Sequence, residues 1–96
     1  MIEVKKLDID GKEFEGVKVF TGKVYILLIK AEKGFLGCGY FNVDVADKFD
    51  DVMAVVTGVK SFDDMLNALI VKASKQAKAL GIKEGVSGKE ALKLMS

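Results

Sequence analysis

The chain has 96 residues, half of them hydrophobic, and its 15 basic side chains nearly balance its 14 acidic ones. This length predicts one domain over residues 1–96, and the absence of a strong net charge excludes nonspecific attraction to nucleic acid. One cysteine and no histidine exclude an intramolecular disulfide and a zinc site made from these two residue types, which favours a reducing, cytoplasmic setting.

The N-terminal segment predicts a hairpin of two irregular strands. Its apolar residues change alternation at the pair Lys5-Lys6, which predicts a bulge there; they are Ile2, Val4, Leu7 and Ile9. Asp10-Gly11 is a strong signal for a two-residue turn. The second strand is predicted from Glu13 to Phe20, and Gly16 interrupts its alternation.

The middle of the chain predicts buried strands around a short helix. The unbroken apolar run Val24–Ile29 indicates a central strand covered on both faces. A strand over 35–41, a helix over 43–50 that begins at the N-cap Asn42, and a strand over 52–58 follow. If the two strands are parallel, they form one crossover with this helix.

The last third predicts one long helix and one short helix. Ser61 and Asp64 approximate a capping box, and apolar residues at helical spacing continue towards a C-terminal cap at Gly81. Ser87 begins the final helix. The predicted fold is therefore α+β: a largely antiparallel sheet of about five strands, mixed if the crossover is parallel, packed against one long helix and two short ones.

The stretch from Gly34 to Asn42 carries three glycines and the only cysteine, and it is the first candidate site. Glycines in a strand indicate a bulge or the close approach of another backbone or a ligand. Cys38 is the best nucleophile in the chain, and a lysine such as Lys60 or Lys30 could lower the pKa of its thiol. The alternative is a thiol that serves only as a small apolar side chain in a strand.

Two nearby segments could bind a small ligand. Backbone amides around Gly37-Cys38-Gly39, with Tyr40 and the helix cap Asn42, could hold an anion, although the pattern matches no phosphate-binding loop. Thr57 and Gly58 lie where a buried strand ends, a common ligand position in open α/β sheets. In both segments, structural packing without a ligand is the alternative.

The densest carboxylate cluster surrounds the short helix. Asp47 and Asp51 have the spacing of one helix face, and Asp44 lies one turn earlier. Carboxylates in this arrangement can bind a divalent metal ion. A solvated helix face is the alternative, because the cluster lacks the pattern of a calcium-binding loop.

Several separated motifs resemble one family; they are Leu28–Gly34, Cys38-Gly39-Tyr40 with Asn42, Val56–Lys60, Phe62 and Asp64-Met65-Leu66. In this order they resemble the YunC-like family of small prokaryotic domains of unknown function, over nearly the whole chain. The resemblance implies a prokaryotic cytoplasmic protein and brings no reaction, cofactor or partner.

Three functional hypotheses follow from these residues. The preferred one is a non-enzymatic, homo-oligomeric binding or interaction module, since half of a short chain is apolar and its surplus apolar surface needs a partner. The alternatives are an enzyme that uses Cys38 on an acyl-type substrate, and a divalent-metal-binding domain. Neither a cofactor nor a nucleic-acid partner is predicted, and no membrane contact is expected because no apolar run reaches about 18 residues.

Overall fold

A computed structural model describes residues 1–96 and shows a single-domain α+β fold around one six-stranded sheet. The strands are β1 (Ile2–Ile9), β2 (Lys12–Phe20), β3 (Tyr25–Lys30), β4 (Phe35–Gly37), β5 (Met53–Val55) and β6 (Lys72–Ala73). The helices are α1 (Val43–Lys48), α2 (Phe62–Asn67), α3 (Lys75–Ala79) and α4 (Gly88–Leu94). None of these helices is long and apolar enough to cross a membrane.

The strands lie in the sheet in the order in which they occur in the chain. All neighbours are antiparallel except β4 and β5, which pair in parallel and are joined by α1. The predicted parallel crossover is therefore present. The predicted number of strands is wrong, because the two-residue strand β6 adds a sixth next to β5.

The predicted long helix is wrong, because residues 62–80 form α2, β6 and α3. The Val71 N–H donates to the carbonyl of Val55 at 2.9 Å, so the chain joins the sheet where the helix was expected to continue. Ser74 then begins α3 as its N-cap. The apolar residues at helical spacing belong to three short elements that bury the same core, and periodicity alone does not separate them.

The predicted bulge at Lys5-Lys6 is also wrong. The register of β1 and β2 runs unbroken from Ile2 opposite Val19 to Ile9 opposite Lys12. Gly16 does not interrupt it either; a Cβ there would lie 2.7 Å from Cε1 of Phe62, so this glycine makes room for the ring. The change in apolar alternation therefore means that β1 presents apolar side chains to both faces of the sheet.

The main core lies on one side of the sheet, which we call the core face. Its largest buried side chains from the sheet are Leu27, Ile29 and Leu36, and α2 and α4 contribute Met65 and Leu92. On the other side, α1 covers β4 and β5 through a small second cluster of Ala46, Met53 and Val55. The expectation that the third strand is covered on both faces is met only in part, because Ile26 and Leu28 on that side are half-buried, whereas Leu27 and Ile29 on the core face are buried.

An ion pair connects the β1–β2 turn to α4. Lys93 Nζ lies 2.8 Å from Oδ2 of Asp10, and Lys89 Nζ lies 3.8 Å from its Oδ1. The hydrogen bond from Lys93, with the charge of Lys89, lowers the pKa of Asp10, and the same bond raises the pKa of Lys93. Both groups are therefore ionised at neutral pH, although their exposure keeps the stabilisation small.

Ser74 connects three elements through one buried hydroxyl group. Its Oγ accepts from the N–H of Met53 at 3.0 Å and from the N–H of Ala77 at 3.2 Å, and it donates to the carbonyl of Asp51 at 2.8 Å. The side chain is fully buried. It therefore fixes the start of β5 and the start of α3 at the same point.

We expect Ser74→Ala to lower the free energy of unfolding by about 3 kcal/mol, because it removes a helix cap and leaves buried backbone groups without a partner. Urea denaturation at neutral pH measures this change. The matched control is Ser61→Ala, which removes only the cap of α2 and should cost about 1 kcal/mol. Equal losses in the two variants would contradict the connecting role of Ser74.

Candidate functional site

A pocket of about 690 Å³ opens at the end of the sheet where β4 and β5 terminate. Its lining comes from three segments of the chain: Lys23, Val24 and Tyr25; Cys38, Gly39 and Tyr40; and Gly58, Val59 and Lys60. This volume is within the range of about 300–1,000 Å³ that is typical of small-molecule sites. Two of these segments contain residues proposed from the sequence for a small-ligand site, and the segment Lys23–Tyr25 was not among them.

The parallel pairing of β4 with β5 brings two of these segments together. Gly37 lies opposite Val55 in the register, so the residues after both strands leave the sheet at the same edge. Cys38–Tyr40 therefore lies beside the segment Gly58–Lys60. The third segment joins them because β3 is antiparallel to β4 and begins where β4 ends.

Cys38 forms part of the pocket wall although only 5% of its surface is exposed. Its Sγ accepts a hydrogen bond from the backbone N–H of Leu27 at 3.4 Å, and its own N–H donates to the carbonyl of Leu27 at 3.0 Å. These two bonds fix the residue against β3. The thiol therefore has a fixed position beside the pocket, with a backbone donor as its polar partner.

The pocket is lined by two lysines and no carboxylate. Lys23 lies in the turn before β3, and Lys60 lies in the loop before α2. Asp64, which accepts a hydrogen bond from the backbone N–H of Lys60 at 3.0 Å, is not part of the lining. The lining therefore carries two positive charges at neutral pH.

Two tyrosine rings supply most of the aromatic surface. Tyr25 is half-buried and packs against Phe20, with ring centroids 4.9 Å apart. On the same tyrosine, Lys18 Nζ lies 4.3 Å from the ring centroid, a cation–π distance. Tyr40 is 60% exposed at the rim. Tyr25 is thus held in place by its neighbours, whereas Tyr40 is largely exposed to solvent.

The structure places the other predicted ligand residues outside this lining. Gly37 is covered by the ring of Phe41, and Asn42 uses its Oδ1 to accept the N–H of Asp44 at 2.8 Å as the cap of α1. Thr57 is exposed, and its Cγ2 would lie 3.4 Å from a Cβ at Gly39. These residues shape the two loops and do not line the pocket.

Of the two lysines considered as partners of Cys38, only Lys60 shares the pocket with it. Lys30 lies at the other end of β3, where its Nζ donates to the carbonyls of Ala31 and Gly34. Sequence reasoning missed Lys23, Val24 and Tyr25. The signal that could have located them is the turn before β3, because antiparallel pairing with the cysteine strand brings that turn to the end of β4.

The aspartates around α1 do not form a metal site. Asp51 lies beyond the end of α1, so the predicted shared helix face with Asp47 is wrong. Asp47 Oδ1 instead accepts the N–H of Lys75 at 2.8 Å, and Asp51 Oδ1 accepts the N–H of Val52 at 3.0 Å. No group of three or more acidic or cysteine side chains in the chain is close enough to hold a metal ion.

The glycines of the Gly34–Asn42 stretch are explained by packing within the chain. A Cβ at Gly34 would collide with the backbone carbonyl of Val52, and a Cβ at Gly37 would lie 2.5 Å from Cδ2 of Phe41. Phe41 also packs edge-on against Phe35, with centroids 5.4 Å apart. The first two glycines therefore allow α1 and its flanking loops to approach the sheet, and Gly39 lies at the pocket.

These features define the class of protein as a small α+β domain with a sequentially ordered mixed sheet and a ligand-sized pocket at its parallel strand ends. Residues 37–95 match the family model described as "Domain of unknown function (DUF1805)", and the chain belongs to this family. It is 29% identical over 96 residues to the uncharacterized protein YunC of Bacillus subtilis, covering 96% of this chain and 95% of YunC.

A solved structure has the same fold. The crystal structure of a protein of unknown function from Thermoplasma acidophilum superposes with a TM-score of 0.94 at 34% sequence identity, covering all of this chain and 94% of that one. These similarities confirm the YunC-like family predicted from the sequence motifs. One relative is described as uncharacterized and the other as a protein of unknown function, so these similarities assign no activity to this chain.

We expect Gly37→Ala to lower the free energy of unfolding by about 1–3 kcal/mol, because the added methyl group meets a ring already held against Phe35. Gly39→Ala is the matched control two residues away and should change stability by less than about 0.5 kcal/mol, since its Cβ makes only an ordinary contact. Thermal and urea denaturation measure both. Comparable losses in the two variants would contradict the packing role of Gly37.

Proposed function

We propose that the protein is a non-enzymatic binding module of the cytoplasm that works as a homo-oligomer. The observation that carries this proposal is an apolar sheet surface that the chain leaves exposed at β1 and only half-buried at β2 and β3. We call it the open face, and it consists of Ile2, Val4, Val17, Val19, Ile26 and Leu28. These six side chains lie on the side of β1–β3 opposite the core face.

The register places the open-face residues side by side. Val4 is opposite Val17, which is opposite Leu28 on the next strand. Ile2, Val19 and Ile26 form a second row in the same way. Ile2 is 70% exposed and Val4 is 60% exposed, so the edge strand presents its apolar side chains directly to solvent. A contiguous apolar patch of this kind is typical of an interaction surface.

A second copy of the same chain is the occupant that fits this surface. Two sheet faces of this kind can pack against each other about 10 Å apart, as in a β-sandwich. Lys6, Glu15 and Lys30 follow the apolar rows on the same face and alternate in sign across the strands. A two-fold axis through the patch lets basic and acidic side chains of the two copies meet at its rim.

The pocket and the open face do not compete for space. Tyr25 and Cys38 project towards the core face, whereas the open-face side chains project the opposite way. A ligand in the pocket is therefore compatible with a subunit on the open face. This separation supports a module in which one surface binds a small molecule and the other assembles the chains.

The alternative function is an enzyme that uses Cys38 as its nucleophile. The observation that favours it is the position of the thiol in the pocket wall together with Lys60. Against it, the thiol is 5% exposed, and its sulfur already accepts a backbone hydrogen bond. The chain also contains no histidine that could act as its base.

For the wild-type chain we expect a mass in solution of at least twice the 10.4 kDa of one chain. The double variant Val4→Lys with Val17→Lys should have the single-chain mass, because two charged groups would otherwise be buried without partners. Light scattering with sedimentation equilibrium measures both masses, and circular dichroism verifies folding.

The control for this experiment is Leu69→Lys, which changes a 58% exposed apolar residue outside the open face. It should keep the wild-type mass. A wild-type chain that remains a monomer at millimolar concentration would overturn the homo-oligomer, and so would a folded double variant with unchanged mass.

The binding module and the enzyme differ in the reactivity of Cys38. For a binding module we expect iodoacetamide to alkylate Cys38 at pH 7 more slowly than it alkylates free cysteine, because little of the thiol is exposed. Mass spectrometry over time gives the rate. Faster alkylation than free cysteine, reduced in Lys60→Gln, would favour the nucleophile and count against the binding module.

A further inference from the structure

We infer that the pocket at the ends of β4 and β5 binds a small aromatic carboxylate. This goes beyond the proposed assembly, and it rests on the pocket alone. Three features of the lining select this chemical class: its charge, its free backbone donors and its aromatic surface.

The charge of the lining selects an anion. Lys23 and Lys60 approach the pocket from two different loops, and no carboxylate lines it. Two lysines in the lining of one pocket attract a negative group and repel a cation. The backbone N–H of Lys60 is bonded to Asp64, which fixes the start of the Lys60 side chain and leaves its ammonium group to the ligand.

Backbone donors reinforce this preference. Four N–H groups of the lining donate to no acceptor within the chain: those of Gly39, Tyr40, Gly58 and Val59. They belong to the two loops that follow the parallel strands. Gly39, Tyr40 and Gly58 are exposed and Val59 is half-buried, so these N–H groups are open to water or to a carboxylate that enters the pocket. Gly58 has a φ of +71°, which bends its loop at this point.

The remaining surface selects an aromatic body. Tyr25 and Tyr40 contribute rings, Val24 and Val59 contribute aliphatic surface, and the Cys38 sulfur adds a polarisable contact. A flat ring bound in this lining gains apolar burial and contact with aromatic surface. The volume of about 690 Å³ accommodates a bicyclic ring with its acid group, because comparable pockets hold drug-sized molecules.

The occupant is a small molecule and not a chain segment or a second subunit. The pocket lies at one end of the sheet and is separate from the open face. The 15 basic and 14 acidic residues of the chain nearly cancel, so the surface of another copy offers no strong net negative charge to this lining. A small anionic ligand can pair with the two lysine ammonium groups and accept hydrogen bonds from the unpaired backbone N–H groups. A protein partner is not needed for these contacts.

The test compares two probes of the same shape at pH 7. These are 2-naphthoate, which is anionic, and 2-naphthamide, which is neutral. Two-dimensional ¹H–¹⁵N NMR of the full chain locates the bound probe, and titration gives its dissociation constant. We expect saturable binding of 2-naphthoate with shifts at Gly39, Tyr40, Gly58 and Lys60, and at least tenfold weaker binding of 2-naphthamide.

The variants test whether the positive charges in the pocket, and not a general change in the protein, determine the affinity for the anionic probe. Lys23→Gln with Lys60→Gln should weaken 2-naphthoate at least tenfold and leave 2-naphthamide nearly unchanged. The control, Lys78→Gln with Lys83→Gln, removes the same charge from outside the pocket and should bind as the wild type does. Tyr40→Ala should weaken both probes, because it removes a ring and leaves the charges in place. NMR spectra of each variant verify the fold.

Four results would overturn the inference. They are no saturable shift with 2-naphthoate up to its solubility, equal affinity for the two probes, unchanged affinity in the Lys23 and Lys60 double variant, and shifts centred on Val17 and Leu28 of the open face. The first three results do not depend on whether the chain is a monomer or an oligomer. Failure of the assembly proposal and failure of this one are therefore distinguished.

Discussion

Two short strands, β4 and β5, run parallel in an otherwise antiparallel sheet, and the position of every candidate surface depends on their pairing. Parallel strands end at the same edge, so Cys38–Tyr40 and Gly58–Lys60 meet there although about twenty residues separate them. The crossover between the strands must lie on one face of the sheet, and α1 occupies that face over β4 and β5 only. The same constraint thus creates the pocket and leaves β1–β3 uncovered.

Close packing around this crossover requires residues without side chains. Gly34 and Gly37 let Val52 and Phe41 approach the sheet, and Gly88 lets α4 approach the carbonyl of Met65. A crossover of this length leaves little room, because α1 has only six residues and most crossovers between parallel strands need a dozen or more. The glycines make this short crossover possible because they let the helix and its flanking loops pack close to the sheet. These three glycines are needed for packing. The glycines that line the pocket are two others, Gly39 and Gly58.

The pocket and the open face use different physical means of recognition. The open face is aliphatic, which suits a partner with a similar apolar surface and gives little chemical selectivity. The pocket combines ammonium groups, free N–H donors and rings, which suits a small molecule with one acid group. Because the two lie on opposite sides of β3, binding at one does not require a change at the other. A small domain can therefore bind a ligand and assemble without a second domain.

Local signals in the sequence determined much of this protein. Asp10-Gly11 gave the hairpin turn, Asn42 and Ser87 gave two helix starts, and Cys38 with Gly58 marked two of the three pocket segments. These signals succeed because each acts through backbone geometry within a few residues. The family could also be identified from the sequence, because its separate motifs occur in the expected order along the chain.

Only the tertiary structure decided the features that depend on distant partners. Residues 62–80 match a helical period, yet Val71 bonds to Val55 and Ser74 bonds to Asp51, so the segment divides. The apolar pattern of β1 does not reveal which face is covered, because alternation specifies two sides and not their neighbours. Tyr25 became a pocket residue through antiparallel pairing alone. In each case the deciding contact joins residues far apart in the chain, and a local pattern carries no information about such a contact.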